Sequence, residues 1–253
     1  MRLRLAKRKQ DLSETLLEVM KPWMEQCSQR SIHAEICVVQ GKDPRESIVD
    51  ACEALHASLL VVGARALQPV TRALLGSTSD FCVQHAPCSI LVARENLSLI
   101  RPAMRRVAIA LEPSMGEFLL SWAQKHLLQV NDYILFLHCT DKIQNEIAVS
   151  TESWPATPGV DAEVDATPES KLIEMIRPFL VHVRHLSGHE AWLLAGEPRA
   201  QLDAAVSRHK IDLLVVGARR PGTTLKRLLL GSVSNHCVRH SAVPVVVVRS
   251  NSQ

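Results

Sequence analysis

A seven-residue segment occurs twice in this 253-residue chain, and the duplication constrains the fold more than any other feature. Leu59–Arg65 and Leu213–Arg219 both read Leu-Leu-Val-Val-Gly-Ala-Arg, at an offset of 213 − 59 = 154. After one inserted residue the similarity continues between Arg72–Arg94 and Arg227–Arg249, including a Gly-Ser-x-Ser run. Because seven consecutive identities do not arise by chance, the chain is a duplicated domain rather than an array of short repeats.

Each repeat has the pattern of strands alternating with helices. Leu59–Val62 and Leu213–Val216 are apolar on both faces and end at a glycine, which is typical of buried parallel strands. A second apolar strand closes each repeat, at Ile90–Val92 and at Val245–Val248. The pattern predicts an α/β fold with a doubly wound open parallel sheet. Helices are predicted before the closing strands, at Ser79–His85 and Ser234–His240.

The two repeats differ upstream of the duplicated segment. The second repeat has predicted strands at Arg106–Leu111 and Tyr133–His138, with a helix over Glu117–Leu128 between them. Subtracting the offset of 154 from these positions gives negative numbers, so the first repeat has no such opening in this chain. The first repeat therefore begins inside the helix that precedes its third strand. That strand is predicted at Ala34–Val39, and its counterpart in the second repeat at Ala191–Leu194.

These boundaries predict two tandem domains, of which the first is incomplete. Residues 1–95 form the truncated domain and residues 104–251 the complete one, with a short linker containing Pro102 between them. Residues 140–170 contain three Pro, seven acidic residues and one Lys, which favours a mobile acidic loop inside the second domain.

Composition excludes several classes of function. The hydrophobic fraction of 47% and the charged fraction of 22% are typical of a folded globular protein. The longest apolar runs are far shorter than the roughly 18 residues of a membrane-spanning helix. Only 4% of residues are aromatic and the formal net charge is +3, which argues against a nucleic-acid surface. We expect neither a membrane nor a nucleic acid as partner.

Cysteine usage and the basic N-terminal segment bear on the compartment. The seven cysteines are scattered and form no CxxC pair, so a reducing, cytoplasmic setting is the simpler interpretation. Residues 1–9 carry five basic residues and no acid, which leaves a nuclear or organellar address open. The other interpretation is the start of an amphipathic helix. Its apolar positions are Leu12, Leu16, Val19, Met20 and Trp23.

The Gly-Ser run of the second repeat has the features of an anion-binding site at a helix N-terminus. Glycine permits close backbone approach, while the N–H groups of a first helical turn point outward and its dipole favours negative charge. Gly217 and Gly231–Ser234 supply these features, with Arg219, Lys226 and Arg227 nearby. The alternative is that the Gly-Ser pair only turns the chain and caps a helix.

These motifs resemble the fingerprint of the universal stress protein family, in its tandem arrangement. That fingerprint is Gly, two residues, Gly, nine residues, Gly, then Ser or Thr. The first repeat keeps the spacing from Gly63 to Gly76 but has Ala66 at the second glycine. The second repeat has Arg220 there, one inserted residue, and Gly222 close by. The resemblance implies a fold like that of the adenine-nucleotide α-hydrolases.

The resemblance also implies an ATP site in the second domain, with Mg²⁺ as an optional companion of the nucleotide. Glu112 stands where the family has Asp, and Arg220 stands where it has Gly. Both departures favour the alternative of a dimerising scaffold that has lost nucleotide binding. The implied binding positions are Leu111, Glu112, Cys139, Val216, Gly217, Gly231, Ser232, Val233 and Ser234.

The first domain is expected to hold no nucleotide of its own. It keeps Gly63, Gly76, Ser77 and Ser79 but lacks the strand that would bear the acidic residue. In the family's sheet order, Leu59–Val62 would also lose a central neighbour, and exposed apolar edges invite pairing. Three outcomes stay open: the third strand closes up, another chain fills the gap, or the chain is a truncated product.

The resemblance implies a nucleotide-responsive stress protein without catalytic activity, although weak ATP hydrolysis stays open. The expected partners are an adenine nucleotide and a second domain, which associates through the closing strands within one chain or in a homodimer. A PP-loop ATP pyrophosphatase is the enzyme alternative, but its Ser-Gly-Gly-x-Asp-Ser signature differs from the Glu112-Pro-Ser found here.

Two Cys/His patterns look like metal ligands. They are Cys82-x-x-His85-x-x-Cys88 and His236-Cys237-x-x-His240. Neither supplies four converging donors, so we interpret the cysteines as small buried hydrophobes and the histidines as surface residues, with no metal site.

Overall fold

The computed structural model describes residues 2–39, 41–64, 75–94, 104–150, 167–180, 186–218 and 230–249, with side chains from residue 15 onward. Contacts divide the chain into two compact units, Met1–Ile48 and Val49–Gln253. The helices are α1 (Arg2–Gln29), α2 (Pro44–Ala54), α3 (Ser77–His85), α4 (Gly116–His126), α5 (Pro168–Leu180), α6 (Pro198–Arg208) and α7 (Ser232–His240). The strands are β1 (Leu59–Gly63), β2 (Ser89–Ala93), β3 (Arg105–Ala110), β4 (Asp132–Thr140), β5 (Ile147–Val149), β6 (Gly188–Ala195), β7 (Leu213–Gly217) and β8 (Val245–Val248).

The unit Val49–Gln253 contains one eight-stranded sheet in the order β1-β2-β8-β7-β3-β4-β6-β5. Strands β8, β7, β3, β4 and β6 are parallel neighbours, which confirms the doubly wound α/β sheet of the second repeat. From β3 the chain proceeds to β4 and β6 in one direction, and later to β7 and β8 in the other. Such a reversal opens a crevice at the carboxyl ends of the two central strands, where open α/β sheets bind their ligands.

The core of the second repeat lies on the central strands, because helices cover them. Ile109 and Phe136 are fully buried, and the Phe136 ring packs edge-on against Phe179 of α5 at a centroid distance of 5.7 Å. Strands buried on both faces need near-continuous apolar sequence, which is what the predicted strands have. The elements of this repeat lie where the sequence predicts them, with ends shifted by up to 191 − 188 = 3 residues.

The two closing strands join the repeats within one chain. Strand β2 pairs with β8 in antiparallel register, with Ile90 opposite Val247 and Val92 opposite Val245. All four of these side chains are fully buried. The expected association through the closing strands is therefore present between the two repeats of this chain.

Reciprocal arginines reinforce this antiparallel junction. Arg94 follows β2 and donates from Nη2 to the carbonyl oxygen of Val238 in α7, at 2.6 Å. Arg249 follows β8 and donates to the carbonyl oxygen of Val83 in α3. Burial lowers the pKa of both arginines, since removing a guanidinium from water is unfavourable. Each repeat thus uses the last turn of the other repeat's helix as the acceptor for a guanidinium, which is buried at Arg249 and half-buried at Arg94.

Strand β1 occupies a different environment from β7 although the two sequences are identical. Strand β7 lies between β8 and β3, and Val215 is 0% exposed. Strand β1 pairs only with β2 among the described residues, and Val61, the counterpart of Val215, is 56% exposed. Among the described residues, β1 therefore has no counterpart of the contact that β7 makes with β3.

Two expectations about secondary structure are wrong. No strand is assigned over the predicted third strand Ala34–Val39, and Val38 and Val39 are exposed. An apolar run forms a strand only when another strand accepts its hydrogen bonds. Strand β5 lies inside the predicted loop 140–170 and pairs antiparallel with β6. Most of the remaining loop, residues 151–166, lies outside the described residues.

The predicted amphipathic helix at the N-terminus is present as α1. Its residues 16–23 read Leu-Leu-Glu-Val-Met-Lys-Pro-Trp and match Leu-Ile-Glu-Met-Ile-Arg-Pro-Phe at 172–179 in α5. Trp23 is 60% exposed, whereas its counterpart Phe179 is 5% exposed. The apolar stripe that α5 buries is therefore uncovered in α1. None of the helices in the described part of the chain is long and apolar enough to cross a membrane.

Candidate nucleotide site at the carboxyl ends of the central strands

The predicted site residues come from four segments that the sheet brings to one edge. Leu111 follows β3, Cys139 lies near the end of β4, and Gly217 ends β7. The Leu111 amide donates to the Leu137 carbonyl oxygen at 2.8 Å, which extends the β3–β4 pairing past the last residue of β3. Because parallel strands end at the same edge of a sheet, these residues flank the point where the strand order reverses. Helix α7 begins after the loop that follows β7.

The first turn of α7 has free capacity for an anion. Gly231 is the N-cap residue, with φ −63° and ψ 157°, and as a glycine it has no side chain with which to cap the helix. The first turn of α7 contains no acidic residue. An uncapped helix N-terminus presents unpaired N–H groups and a positive dipole end, which together favour a phosphate. Ser232 is exposed at this end, and Val233 is half-buried.

Ser234 ties this helix to the strand before it. Its hydroxyl donates to the Gly217 carbonyl oxygen at 2.6 Å, and the side chain is buried. In the first repeat, Ser79 donates to the Gly63 carbonyl oxygen at 2.7 Å in the same way. The hydroxyl of Ser234 is therefore engaged in the fold, and its backbone N–H is the group left to face a ligand. Val216, one residue before the glycine, is buried inside β7 and contributes only its backbone at this edge.

Glu112 is the acidic group at the mouth of the crevice. Its side chain is exposed, whereas the preceding Leu111 is buried. The ring of His138 in β4 donates from Nδ1 to the Leu111 carbonyl oxygen at 3.0 Å. This bond fixes the backbone immediately before Glu112, so the carboxylate leaves the sheet from a defined position.

Cys139 forms a neutral part of the wall. Burial, with a smaller contribution from the negative charge of Glu197, raises the pKa of its thiol to about 12. The thiol is therefore protonated at neutral pH and is neither a nucleophile nor a repulsive charge for an anionic ligand.

Met115 lies beside Gly217 of the candidate site, and no sequence motif predicts this contact. It is the N-cap residue of α4 and is buried. A Cβ placed on Gly217 would lie 3.6 Å from Met115 Cβ, in ordinary van der Waals contact. A Cβ on Gly63, the equivalent glycine of the first repeat, would meet nothing within 4 Å. Met115 thus lies beside Gly217 in the second repeat, whereas no described residue occupies the equivalent position beside Gly63.

The first repeat reproduces only part of this arrangement. Gly76 caps α3 with φ −60° and ψ 148°, again without a side-chain cap. Its first turn, beginning at Ser77, contains Asp80, which pairs with Arg239 of α7. An acidic residue in the first turn opposes the binding of a further anion. No strand among the described residues occupies the position next to β1 that β3 occupies next to β7.

Several predicted positions lie outside the described residues. These are Ala66 in the first repeat, and Arg219, Arg220, Gly222, Lys226 and Arg227 in the second. The two Cys/His patterns are described: Cys82, Cys88 and Cys237 are buried, whereas His85 and His240 are exposed. His236 is half-buried, with Nε2 2.7 Å from Oδ2 of Asp203, so it is not the surface residue that we expected. Within the described segments, no group of three or more His, Cys, Asp or Glu side chains is arranged to hold a metal ion.

Comparison with known proteins identifies the class that this fold represents. The sequence profile of the Universal stress protein family matches residues 2–94 and 104–249. A "Universal stress protein A-like protein" of Arabidopsis thaliana is 25% identical over 134 residues, which span 52% of this chain and 76% of that relative. The chain belongs to the universal stress protein family, with two matched regions in tandem.

One solved structure supports the fold of this chain. A universal stress protein from Archaeoglobus fulgidus DSM 4304 matches 96% of this chain and 79% of its own, with a TM-score of 0.65 at 20% identity. A family member from Arabidopsis thaliana, crystallised with AMP bound, covers 58% of this chain and 93% of its own at 22% identity, with a TM-score of 0.38. The Archaeoglobus fulgidus structure supports the fold of this chain. The bound AMP is a property of the Arabidopsis thaliana protein and is not evidence of a ligand for this chain.

Proposed function

We propose that this universal stress protein binds one adenine nucleotide, ATP, in its second repeat and acts as a nucleotide-responsive module of a stress response. The observation that carries the proposal is the uncapped start of α7 beside the point where the strand order reverses, between β3 and β7. An anion-binding helix end and a sheet crevice coincide there, and this combination suits a nucleotide better than phosphate alone.

The residues of the crevice divide between the parts of the nucleotide. The backbone N–H groups of Ser232, Val233 and Ser234 would hold the phosphates, and Mg²⁺ would accompany these as counter-ion. The exposed Glu112 carboxylate would accept hydrogen bonds from ribose hydroxyls. Cys139, neutral at physiological pH, would line the wall without repelling the ligand.

A single site per chain follows from the contrast between the repeats. The first repeat has Asp80 in the first turn of its helix and an open edge at β1, and both features oppose a second nucleotide. We therefore assign residues 1–95 to a truncated domain without a nucleotide and residues 104–251 to the complete, binding domain.

The role we propose is binding rather than catalysis. Universal stress proteins are generally not enzymes. Burial raises the pKa of the Cys139 thiol to about 12, so this group does not act as a nucleophile at neutral pH. We propose a cytoplasmic location, because all seven cysteines are free, as they are in a reducing compartment.

Calorimetric titration with ATP tests the proposal, and the duplication supplies a matched control. Gly231→Val places a branched side chain at the start of α7, and Gly76→Val makes the same change at the start of α3. Both glycines have extended backbone that a valine adopts without strain. We expect saturable binding of one ATP per chain in the wild type and in Gly76→Val, and loss of binding in Gly231→Val.

A dimerising scaffold without nucleotide is the second candidate function. The extra methylene of Glu112, which stands where the family has Asp, and Arg220, which stands where it has Gly, favour this candidate. Absence of binding at millimolar ATP, in wild-type protein that unfolds cooperatively, would contradict nucleotide binding and support the scaffold.

A further inference from the structure

We propose that His236, held in place by Asp203, binds the phosphates of the nucleotide as an imidazolium, so that the protein takes up a proton when ATP binds. This inference rests on the proposed nucleotide site of the second repeat and names the side chain that contacts the phosphates there. Neither residue is among the binding positions that the family resemblance implies.

The pair formed by His236 and Asp203 joins helices α6 and α7. Nε2 of His236 lies 2.7 Å from Oδ2 of Asp203, and because a carboxylate only accepts hydrogen bonds, Nε2 is the donor. The His236 ring also stacks on the ring of His240, with a centroid distance of 4.5 Å. Both members of the pair are half-buried. Within the described segments Nδ1 of His236 makes no hydrogen bond, so this atom is available to a ligand.

The pair lies near the carboxyl edge of the sheet, where the crevice opens. Helices α6 and α7 both follow strands of the parallel sheet, so both begin at this edge. Asp203 lies 203 − 198 = 5 residues after the first residue of α6, and His236 lies 236 − 232 = 4 residues after the first residue of α7. Burial, with smaller contributions from Asp203 and Cys139, raises the pKa of the adjacent Cys237 thiol to about 12. These interactions indicate that the pair lies beside Cys139 of the crevice wall.

The position of His236 on α7 directs its side chain toward the start of the helix. Residues four apart share one face of a helix, so His236 and Ser232 lie on the same face. Side chains in helices lean toward the N-terminus, over the turn that precedes them. At about 1.5 Å per residue, the two positions are about 6 Å apart along the axis, which an imidazole ring and a phosphate oxygen can span together.

A hydrogen bond from His236 to a phosphate requires a proton on Nδ1. The bond to Asp203 fixes the hydrogen of the neutral ring on Nε2, and phosphate oxygens can only accept. Once Nδ1 is protonated, the imidazolium lies between two anions, the Asp203 carboxylate and the phosphate, and both stabilise its charge. Histidine changes charge near neutral pH, so this stabilisation is enough to draw a proton from the buffer. The proton is the only atom transferred, and no bond of the nucleotide breaks.

Other titratable groups of this region do not replace Asp203 as the partner of His236. Cys139 and Cys237 are protonated thiols at neutral pH, because burial raises the pKa of each to about 12. Glu197, at the start of α6, forms an ion pair with Arg199. Asp203 is therefore the carboxylate that stabilises an imidazolium at His236.

The first repeat has apolar residues at both positions of the pair. Helix α2 matches α6 at an offset of 154, and α3 matches α7 at an offset of 155, so the counterparts of Asp203 and His236 are Val49 and Phe81. The Phe81 ring stacks on His85 with a centroid distance of 4.0 Å, as His236 stacks on His240. An aromatic ring can thus pack at this position of the helix without a charged partner. The polar pair occurs in the repeat that has the candidate nucleotide site.

Calorimetric titration with ATP at mildly alkaline pH, in buffers of different ionisation enthalpy, measures the protons taken up on binding. We expect the wild type to take up as much as one proton per ATP bound. His236→Phe, which copies Phe81 of the first repeat, should abolish this uptake and weaken ATP binding roughly tenfold to a hundredfold. Asp203→Asn keeps a hydrogen-bond acceptor without the charge and should reduce the uptake. His85→Phe, at an exposed histidine of α3, is the control and should match the wild type.

The outcomes separate this inference from the proposed function. ATP binding with the same proton uptake in the wild type, His236→Phe and Asp203→Asn would overturn the role of the pair and leave the nucleotide site in place. Absence of ATP binding to the wild type would contradict the nucleotide site and this inference together. His236→Gln provides a second variant if the phenylalanine impairs folding, since glutamine can donate a hydrogen bond but cannot take up a proton. Proton uptake that persists in His236→Gln would also overturn the inference.

Discussion

The duplicated strands allow one side chain to be tested in two environments. Val215 in β7 and Val61 in β1 have the same neighbours in sequence, but the first is fully buried and the second is 56% exposed. Truncation of each to alanine removes the same two methyl groups. The difference in stability between the variants therefore measures the packing that Val215 has and Val61 lacks, which comes from the neighbouring strand β3 and from the helices that pack on that part of the sheet.

The expected magnitudes follow from the burial. At roughly 0.8 kcal/mol per buried carbon, Val215→Ala loses about 1.6 kcal/mol of transfer free energy. The cavity left between the strands raises the loss to about 2–3 kcal/mol. Val61 has less than half of its surface buried, so Val61→Ala costs about 0.7 kcal/mol at most.

Urea unfolding followed by circular dichroism measures both losses. We expect a clear fall in the transition midpoint for Val215→Ala, at unchanged slope, and a small fall for Val61→Ala. Equal losses in the two variants would refute the open edge, because Val61 would then have a neighbour comparable to β3.

Three further predictions concern the junction, the acid stability and the candidate site. Arg94→Met leaves the Val238 carbonyl oxygen without its hydrogen-bond donor. We expect the free energy of unfolding in urea to fall by about 1–2 kcal/mol, because the junction between the repeats is weakened while the second repeat stays folded. Burial alone would raise the pKa of the Glu190 carboxyl, but hydrogen bonds from Trp192 and Tyr133 lower this pKa overall. The ionised carboxylate therefore stabilises the folded state above pH 4.5, the ordinary pKa, and this stabilisation is lost as the pH falls through the lowered pKa. Glu190→Gln should therefore be less stable than the wild type near neutral pH, and the gap between their thermal midpoints should shrink in acid; a gap that grows in acid would contradict the sign. We expect Glu112→Asp to bind ATP more tightly than the wild type in calorimetry. Unchanged affinity would contradict a role for the Glu112 carboxylate in nucleotide binding.

Most of the second repeat could be predicted from sequence, because its signals are local. Continuous apolar runs ending in glycine define β7, and its counterpart in the first repeat gives independent support for the same limits. The position of the crevice follows from strand order alone, since the acidic Glu112 and the start of α7 must flank the reversal. The resemblance to the family, and not the apolar sequence alone, predicts the association of the closing strands.

The remaining features depend on contacts that sequence does not contain. Residues 34–39 have the apolar composition of a strand, but a strand needs a hydrogen-bonding neighbour and none is described there. The arginine pair Arg94 and Arg249 acts across the junction between the repeats, so each bond joins residues more than a hundred positions apart. Met115 reaches Gly217 only because β3 and β7 are adjacent in space.

The location of the bound nucleotide is the most direct test of the proposed function. Photolabelling with an azido analogue of ATP, followed by peptide mapping, reports which repeat lies beside the base. We expect labelling that excess ATP suppresses, confined to peptides that contain Glu112 or Cys139 and absent in Gly231→Val. Label on the peptide from Gly76 to Ser79, or labelling that ATP does not suppress, would contradict a single nucleotide site in the second repeat.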